Sequence, residues 1–469
     1  MAHAHGGDHE LAIPRQTRRV LTLVAVVLAI ATGIGVLVFR GTGDILEGSE
    51  RLNLVSEVYD ATVASTERVP CEGTTEADDI PCDSVRFRLN QGPDKGDTIE
   101  LEFPETPTTP DLDGGDRVVL SYDPDAPEGF EYQYSDRQRR PLLLWLTLLF
   151  AAAVIALGRW RGVAALAGLG ASIFVILQFV LPAILDGKSP VMVAVIGSSA
   201  IAYVALYVAH GFRSKTTVAL LGTLGALALT VTLASIFSAL AEFSGLSSEE
   251  AALVRIGAEN VSLSGLVLGG MVIGALGALD DMTVTQSSAV WELRAANPRF
   301  TRRELSRSAM RIGRDHVAST VNTLALAYAG AALPILILFV QSRQSLGAVA
   351  NSETVAVEIV RTLVGSIGLV ASVPLTTWLA TRVVAGAPPV TRLRGRGRRP
   401  PPPEAEEREA EEPEAEPERE PPVPAEPPEP APPEPERPLE EQFWGRRTDD
   451  PGPLRAPGDD HEPPGGGAP

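Results

Sequence analysis

Asp280 and Asp281 are the residues of this chain whose type and position best suit chemistry. They follow an apolar, small-residue run over 265–279. Glu292, Asp315, His316, Asn322 and Tyr328 lie further on, around an arginine-rich stretch and into a second apolar run ending near Pro334. Ionisable groups at a hydrocarbon boundary are costly, so they point to function. Two adjacent carboxylates with little water between them suit the holding of a proton or small cation, because neither charge is well solvated. The plain alternative is that the pair ends a helix in water, although negative charge at a helix C-terminus opposes the macrodipole. On the relay reading Asp281 carries the proton, Asp280, Asp315 and His316 modulate it, and Asn322 and Tyr328 line the path. His316 at a span entrance also reads as an ordinary interfacial residue. Glu358 and Arg361, three residues apart in the last apolar run, read as a local ion pair.

The elements that must position these groups are long apolar segments. Residues 20–39 form an uninterrupted apolar run, and at 1.5 Å per residue it spans roughly 30 Å, the thickness of a bilayer core. Seven more runs follow, at 141–157, 162–185, 191–210, 216–243, 261–279, 317–340 and 355–384. Arg15, Arg18 and Arg19 precede the first. The basic residues Arg159, Arg161, Arg213 and Lys215, the arginines from Arg294 to Arg314, and Arg392 then all fall on the same side of the alternation. The positive-inside rule makes that side, and both termini, cytoplasmic. Gly265, Gly269, Gly270, Gly274 and Gly277 suit close helix packing. Residues 282–296 either continue their helix inward or lie along the membrane surface. Pro374 predicts a kink in the last span.

Charge divides the chain. Residues 41–139 carry 24 acidic and 8 basic side chains, and residues 401–469 carry 21 acidic and 6 basic. The net charge is −19, so the apolar body between these segments is basic. No basic stripe with interleaved aromatics appears, which argues against nucleic acid. Residues 84–89, 99–103 and 117–122 alternate as strands, with turn chemistry at Gln91-Gly92-Pro93 and Asp113-Gly114-Gly115. They predict a small exterior β-domain of the OB or SH3-like barrel kind. Cys71 and Cys82, the two cysteines, both fall in it; as a disulfide they would add about 3 kcal/mol and suit an oxidising exterior. Residues 386–469 are rich in Pro and Glu and predict a disordered tail, with Phe443 and Trp444 as its aromatics. His3, His5, Asp8 and His9 are spaced to share an ion, but read more simply as an unstructured leader over 1–19.

The expected fold is therefore an all-α membrane bundle of eight transmembrane helices with a small extracytoplasmic β-domain. Its parts are a leader (1–19), a first span (20–39), the β-domain (40–140), a seven-helix bundle (141–385) and the tail.

The sequence resembles the YibE/F-like membrane proteins. The resemblance rests on residues 274–293 with Asp280, Asp281 and Glu292, on Glu304-Leu305 and Ser308, and on Gly313-Arg314-Asp315. Asn322-Thr323-Leu324, Ala327-Tyr328, Glu358-Ile359-Val360-Arg361, Gly365-Ser366-Ile367-Gly368-Leu369 and Pro374-Leu375-Thr376 continue it. It covers roughly 52–385. Asp281 is the position that matches and Asp280 is an addition; His316-Val317-Ala318-Ser319-Thr320 also departs from the pattern. The resemblance implies a polytopic membrane protein and brings no activity with it. A fainter one, to the SecD/SecF half of the RND-type transporters, rests on Asp281, the basic loop, Ser319-Thr320, Thr323-Leu324, and 364–375.

These readings converge on a cell-membrane protein that is transport-like or export-assisting and moves a proton or cation. The alternative is an envelope scaffold whose β-domain binds a protein partner. No nucleophile–base pair, phosphate loop or metal-ligand spacing appears, so neither an enzyme nor a cofactor is expected.

Overall fold

Alternating apolar and polar side chains between residues 57 and 137 build a five-stranded antiparallel sheet, seen in a computed structural model that describes residues 11, 13–41, 57–71, 81–127 and 129–385. The strands are β1 (Glu57–Pro70), β2 (Pro81–Leu89), β3 (Thr98–Pro104), β4 (Arg117–Tyr122) and β5 (Tyr132–Arg137). Their order is β3-β2-β1-β4-β5. One face packs Ala61, Val63, Val85, Phe87, Leu89, Val118, Leu120 and Tyr132 into a core. The sheet curls far enough for Phe103 of β3 to meet Tyr134 of β5 edge-to-face, with ring centroids 5.8 Å apart. No strand pairing joins those two edges among the described residues. The expected barrel is thus a half-barrel closed by an aromatic contact. Cys71 and Cys82 are disulfide-bonded where β1 ends and β2 begins. The Tyr132 phenol is pushed well above its ordinary pKa by burial and by its hydrogen bond to Asp94.

The rest is helical. The helices are α1 (Arg15–Val38), α2 (Arg140–Gly158), α3 (Trp160–Leu185, with a π-helical turn at Ile176–Val180), α4 (Pro190–His210) and α5 (Ser214–Leu240). They continue with α6 (Glu249–Gly257), α7 (Leu263–Ala296), α8 (Arg302–Ala331), α9 (Leu333–Gln341), α10 (Leu346–Asn351) and α11 (Glu353–Val384). Seven of the described helices are long and apolar enough to cross a membrane, or eight if α8 and α9 count together. Those two meet at 61°. Pro334 sits in the first turn of α9, where its missing N–H does no harm to that helix but cannot continue the previous one. The run expected at 317–340 is therefore bent.

Of the two courses open to residues 282–296, the chain takes the first: α7 continues inward past residue 279 and is 34 residues long in all, roughly 50 Å. The arginine-rich stretch is not a loop, because α8 opens at Arg302 with a capping box formed by Thr301 and Glu304. α11 runs unbroken through Pro374. The leader with His3, His5, Asp8 and His9, and the tail with Phe443 and Trp444, lie outside the described residues.

α7 packs against α4, α5, α8 and α11. Small residues set these distances. A Cβ on Gly368 of α11 would stand 2.0 Å from the Thr230 hydroxyl of α5, and one on Gly222 would stand 2.3 Å from the Thr376 hydroxyl. Gly265 and Gly269 of α7 lie against Pro190 and Ala194 of α4 in the same way.

Gly368→Ala should therefore force α5 and α11 apart, costing about 1–3 kcal/mol as overpacking does. Thermal unfolding of the detergent-purified chain checks this, with Gly330→Ala as control, since nothing lies within 4 Å of that position. A Gly368→Ala protein melting with the wild type would refute the close-contact account.

Candidate functional site

Asp280 and Asp281 lie in the interior of α7, not at its end. The helix continues because Met282–Ala296 contains no glycine or proline and two of its apolar residues, Val290 and Trp291, are buried in a core with Leu305 and Val384. Successive residues of a helix point about 100° apart, so the two carboxylates part company. Asp280 shares a face with Leu276 and Val284, which pack in the cluster of Ile201, Ala202, Leu206 and Leu220. Its Oδ1 is buried and has no hydrogen-bond partner. Asp281 is exposed. Sequence reasoning gave both the same surroundings.

Asp281 lies in line with Gly270, Gly274 and Gly277, all of them exposed. This glycine-floored face receives the polar groups of α8 and α11. The Tyr328 hydroxyl sits 3.2 Å from where a Gly274 Cβ would be, and Nη2 of Arg361 sits 4.0 Å from where a Gly270 Cβ would be. Nothing lies within 4 Å of the Gly277 position. Arg361 Nη1 donates to Glu358 Oε1 at 2.6 Å, with the side chains 25% and 31% exposed. The expected ion pair is formed. Arg361 Nε is buried and makes no hydrogen bond. A cavity of about 650 Å³ opens beside these groups, lined by Tyr328, Ala332, Leu336, Thr354, Glu358 and Arg361. About 16 Å of helix separates Gly270 from Asp281. The groove thus carries an ion pair at one end, a phenol further along, an open step, and then a carboxylate with no ion pair among the described residues.

A second polar feature escaped the sequence reading. Buried hydroxyls and one amide knit α5, α7 and α11 together. Thr223 and Thr283 lie 2.6 Å apart, oxygen to oxygen, and the Thr283 hydroxyl also lies 3.1 Å from the Asp280 carbonyl. Gln286 Nε2 donates to the Ala309 carbonyl at 3.0 Å and to the Thr377 hydroxyl at 2.6 Å. Thr376 and Ser372 are fully buried alongside. The signal was present: Thr216, Thr223 and Thr230 recur every seventh residue in an apolar run.

The other expected site residues do not join the groove. α8 buries Leu305, Ala309 and Gly313, and a Cβ on Gly313 would stand 2.5 Å from Val373 and 2.8 Å from Gln286. Asp315 and Asn322 follow Gly313 by two and nine residues, each about half a helical revolution away, and both are exposed. His316 is half-buried. Among the described residues no group of three His, Cys, Asp or Glu side chains is placed to hold a metal ion.

A protein-family model described as YibE/F-like protein matches residues 146–386. That range holds Asp280, Asp281, Tyr328, Glu358 and Arg361, and leaves α1 and the β-domain outside. No curated protein and no solved structure matches the chain.

Replacing Gln286 with Leu keeps the volume and removes both hydrogen bonds. The expected loss of stability is about 1–3 kcal/mol, the cost of stranding buried polar groups. Thr377→Val should then cost less in the Gln286→Leu background than alone, because its partner is already gone. Melting curves of the two single variants and the double variant test this, and simple additivity would sink it.

Proposed function

The chain belongs to the YibE/F-like protein family, and from that premise we propose that it is a multi-pass cell-membrane protein that passes a proton or small cation along the glycine-floored groove of α7, in a transport-like or export-assisting role. The observation that carries the reading is the convergence of Tyr328, Glu358 and Arg361 on the same face of α7 as Asp281. Arg15, Arg18 and Arg19 at the N-terminal end of α1 and the arginines spread over 294–314 support cytoplasmic termini.

The chemistry follows from where charge is compensated. The Glu358–Arg361 pair is neutral overall and keeps two charges together where water is scarce. Asp281 is the uncompensated anion on the groove, and a proton or cation arriving there neutralises it. Asp280, one residue away, turns a buried oxygen with no hydrogen-bond partner toward the other side of the helix. The Tyr328 hydroxyl both donates and accepts, which suits a relay between the two ends. The open position at Gly277 leaves room for water or an ion between Tyr328 and Asp281. Glycine matters here for its missing side chain: any Cβ at Gly274 would crowd the phenol.

The test is proton entry into liposomes holding the purified full chain and a pH-sensitive dye, under an imposed pH gradient and potential. A cation-sensitive dye run in parallel identifies the ion. Asp281→Asn should slow entry at least about tenfold and Tyr328→Phe by a smaller factor. If Asp281→Asn and the wild type carry ions at the same rate, or neither carries any, the relay is overturned and the scaffold reading takes its place.

A further inference from the structure

A second pocket, of about 440 Å³, lies where α4, α5 and α7 meet, on the side of α7 that packs against α4 and not on the groove. Its volume is within the range of small-molecule sites. Two helices begin at it. Ser189 is the N-cap of α4 and Ser262 the N-cap of α7, and both line the pocket. The first amides of a helix have no carbonyl of their own to bond. Those of Val191 and Ser264, which also line the pocket, donate to nothing among the described residues. These two N-termini bring partial positive charge and free donors to the pocket. One helix ends there instead. α5 stops at Leu240, and Glu242 follows, with a carboxylate that makes no ion pair or hydrogen bond among the described residues. The pocket is therefore dipolar: positive where α4 and α7 begin, negative where α5 ends.

Ser238 is the buried polar group of this pocket. It is 6% exposed, and its Oγ has no hydrogen-bond partner. Thr230 and Thr232 of the same helix bond back to the carbonyl four residues earlier. Ser238 does not, so its hydroxyl keeps both a donor and an acceptor unused at the pocket wall. Val191, Phe243 and Leu268 add an apolar wall.

We propose that this pocket binds a free α-amino acid with an apolar side chain. The carboxylate takes the N-termini of α4 and α7 with the Ser262 and Ser264 hydroxyls. The ammonium takes Glu242 at the end of α5, and the side chain lies on Val191, Phe243 and Leu268. A lone anion would leave Glu242 unpaired beside it, and a lone cation would face two helix N-termini. A ligand with both charges on one carbon satisfies both walls, with charge-assisted hydrogen bonds at each. Binding here stands apart from the relay; only the pocket's facing outward rests on the topology proposed above.

The purified full chain in detergent is titrated calorimetrically with L-leucine, 4-methylpentanoate and 3-methylbutylamine. The last two keep the leucine skeleton and lack the ammonium and the carboxylate respectively. L-leucine should bind at least about tenfold more tightly than either, the range of hydrogen bonds to a charged group. Glu242→Gln should weaken L-leucine about tenfold without weakening 4-methylpentanoate, and Ser238→Ala should weaken L-leucine by a smaller factor. L-leucine should also slow maleimide labelling of a Ser264→Cys chain. The proposal is overturned if L-leucine does not bind or if either analogue binds as well. It is equally overturned if a Glu242→Gln chain melting with the wild type binds L-leucine as the wild type does, or if L-leucine gives no protection at position 264. Failure of the ion-entry test on liposomes leaves each of these outcomes unchanged.

Discussion

Polar groups inside an apolar helix bundle have few places to find partners, and α7 is where most of them meet. Thr283 and Gln286 reach α5, α8 and α11 from a single turn of that helix. The contacts exist because Gly222, Gly313 and Gly368 let neighbouring backbones come close enough for short side chains to touch. A hydroxyl with nothing to bond to costs free energy, whereas a bonded one fixes the rotation of its helix. The polar knit therefore sets the rotational phase of α5, α8 and α11 around α7. Everything the groove offers depends on that phase.

Rotation also explains how one sequence motif yields two environments. Adjacent aspartates look alike in a sequence, yet the 100° step between them sends Asp280 toward α4 and α5 and Asp281 toward the open glycines. The glycines divide in the same way. Gly265 and Gly269 serve helix contact, while Gly270, Gly274 and Gly277 leave space that Arg361 and Tyr328 partly fill. A single helix thus packs on one side and vacates the other with the same residue type.

What the sequence disclosed follows from how strong each physical signal is. Runs of about twenty apolar residues are hard to misread, and each expected run has its helix or bent pair of helices. The end of α7 was left open and the start of α8 was placed too late because charge marks where apolarity stops, not where a helix stops; Glu292-Leu293-Arg294-Ala295-Ala296 is good helix sequence. β1 was missed although it is central, since only Ala61 and Val63 are buried along it. β5 was missed because a polar strand at an edge has little alternation to show. Glu358 and Arg361 were legible as a local pair, being one helical turn apart. Their meeting with Gly270, and that of Tyr328 with Gly274, was not, because no pattern within α8 or α11 encodes which side turns toward α7.

α9 buries none of its residues and joins α8 through a sharp bend at Ala332. Moving it uncovers no core, so the motion sacrifices little burial free energy. It also walls the cavity beside Glu358 and Arg361 through Ile335 and Leu336. The ion pair thus has a firmly packed helix behind it and, across the cavity, a wall that no buried core holds in place.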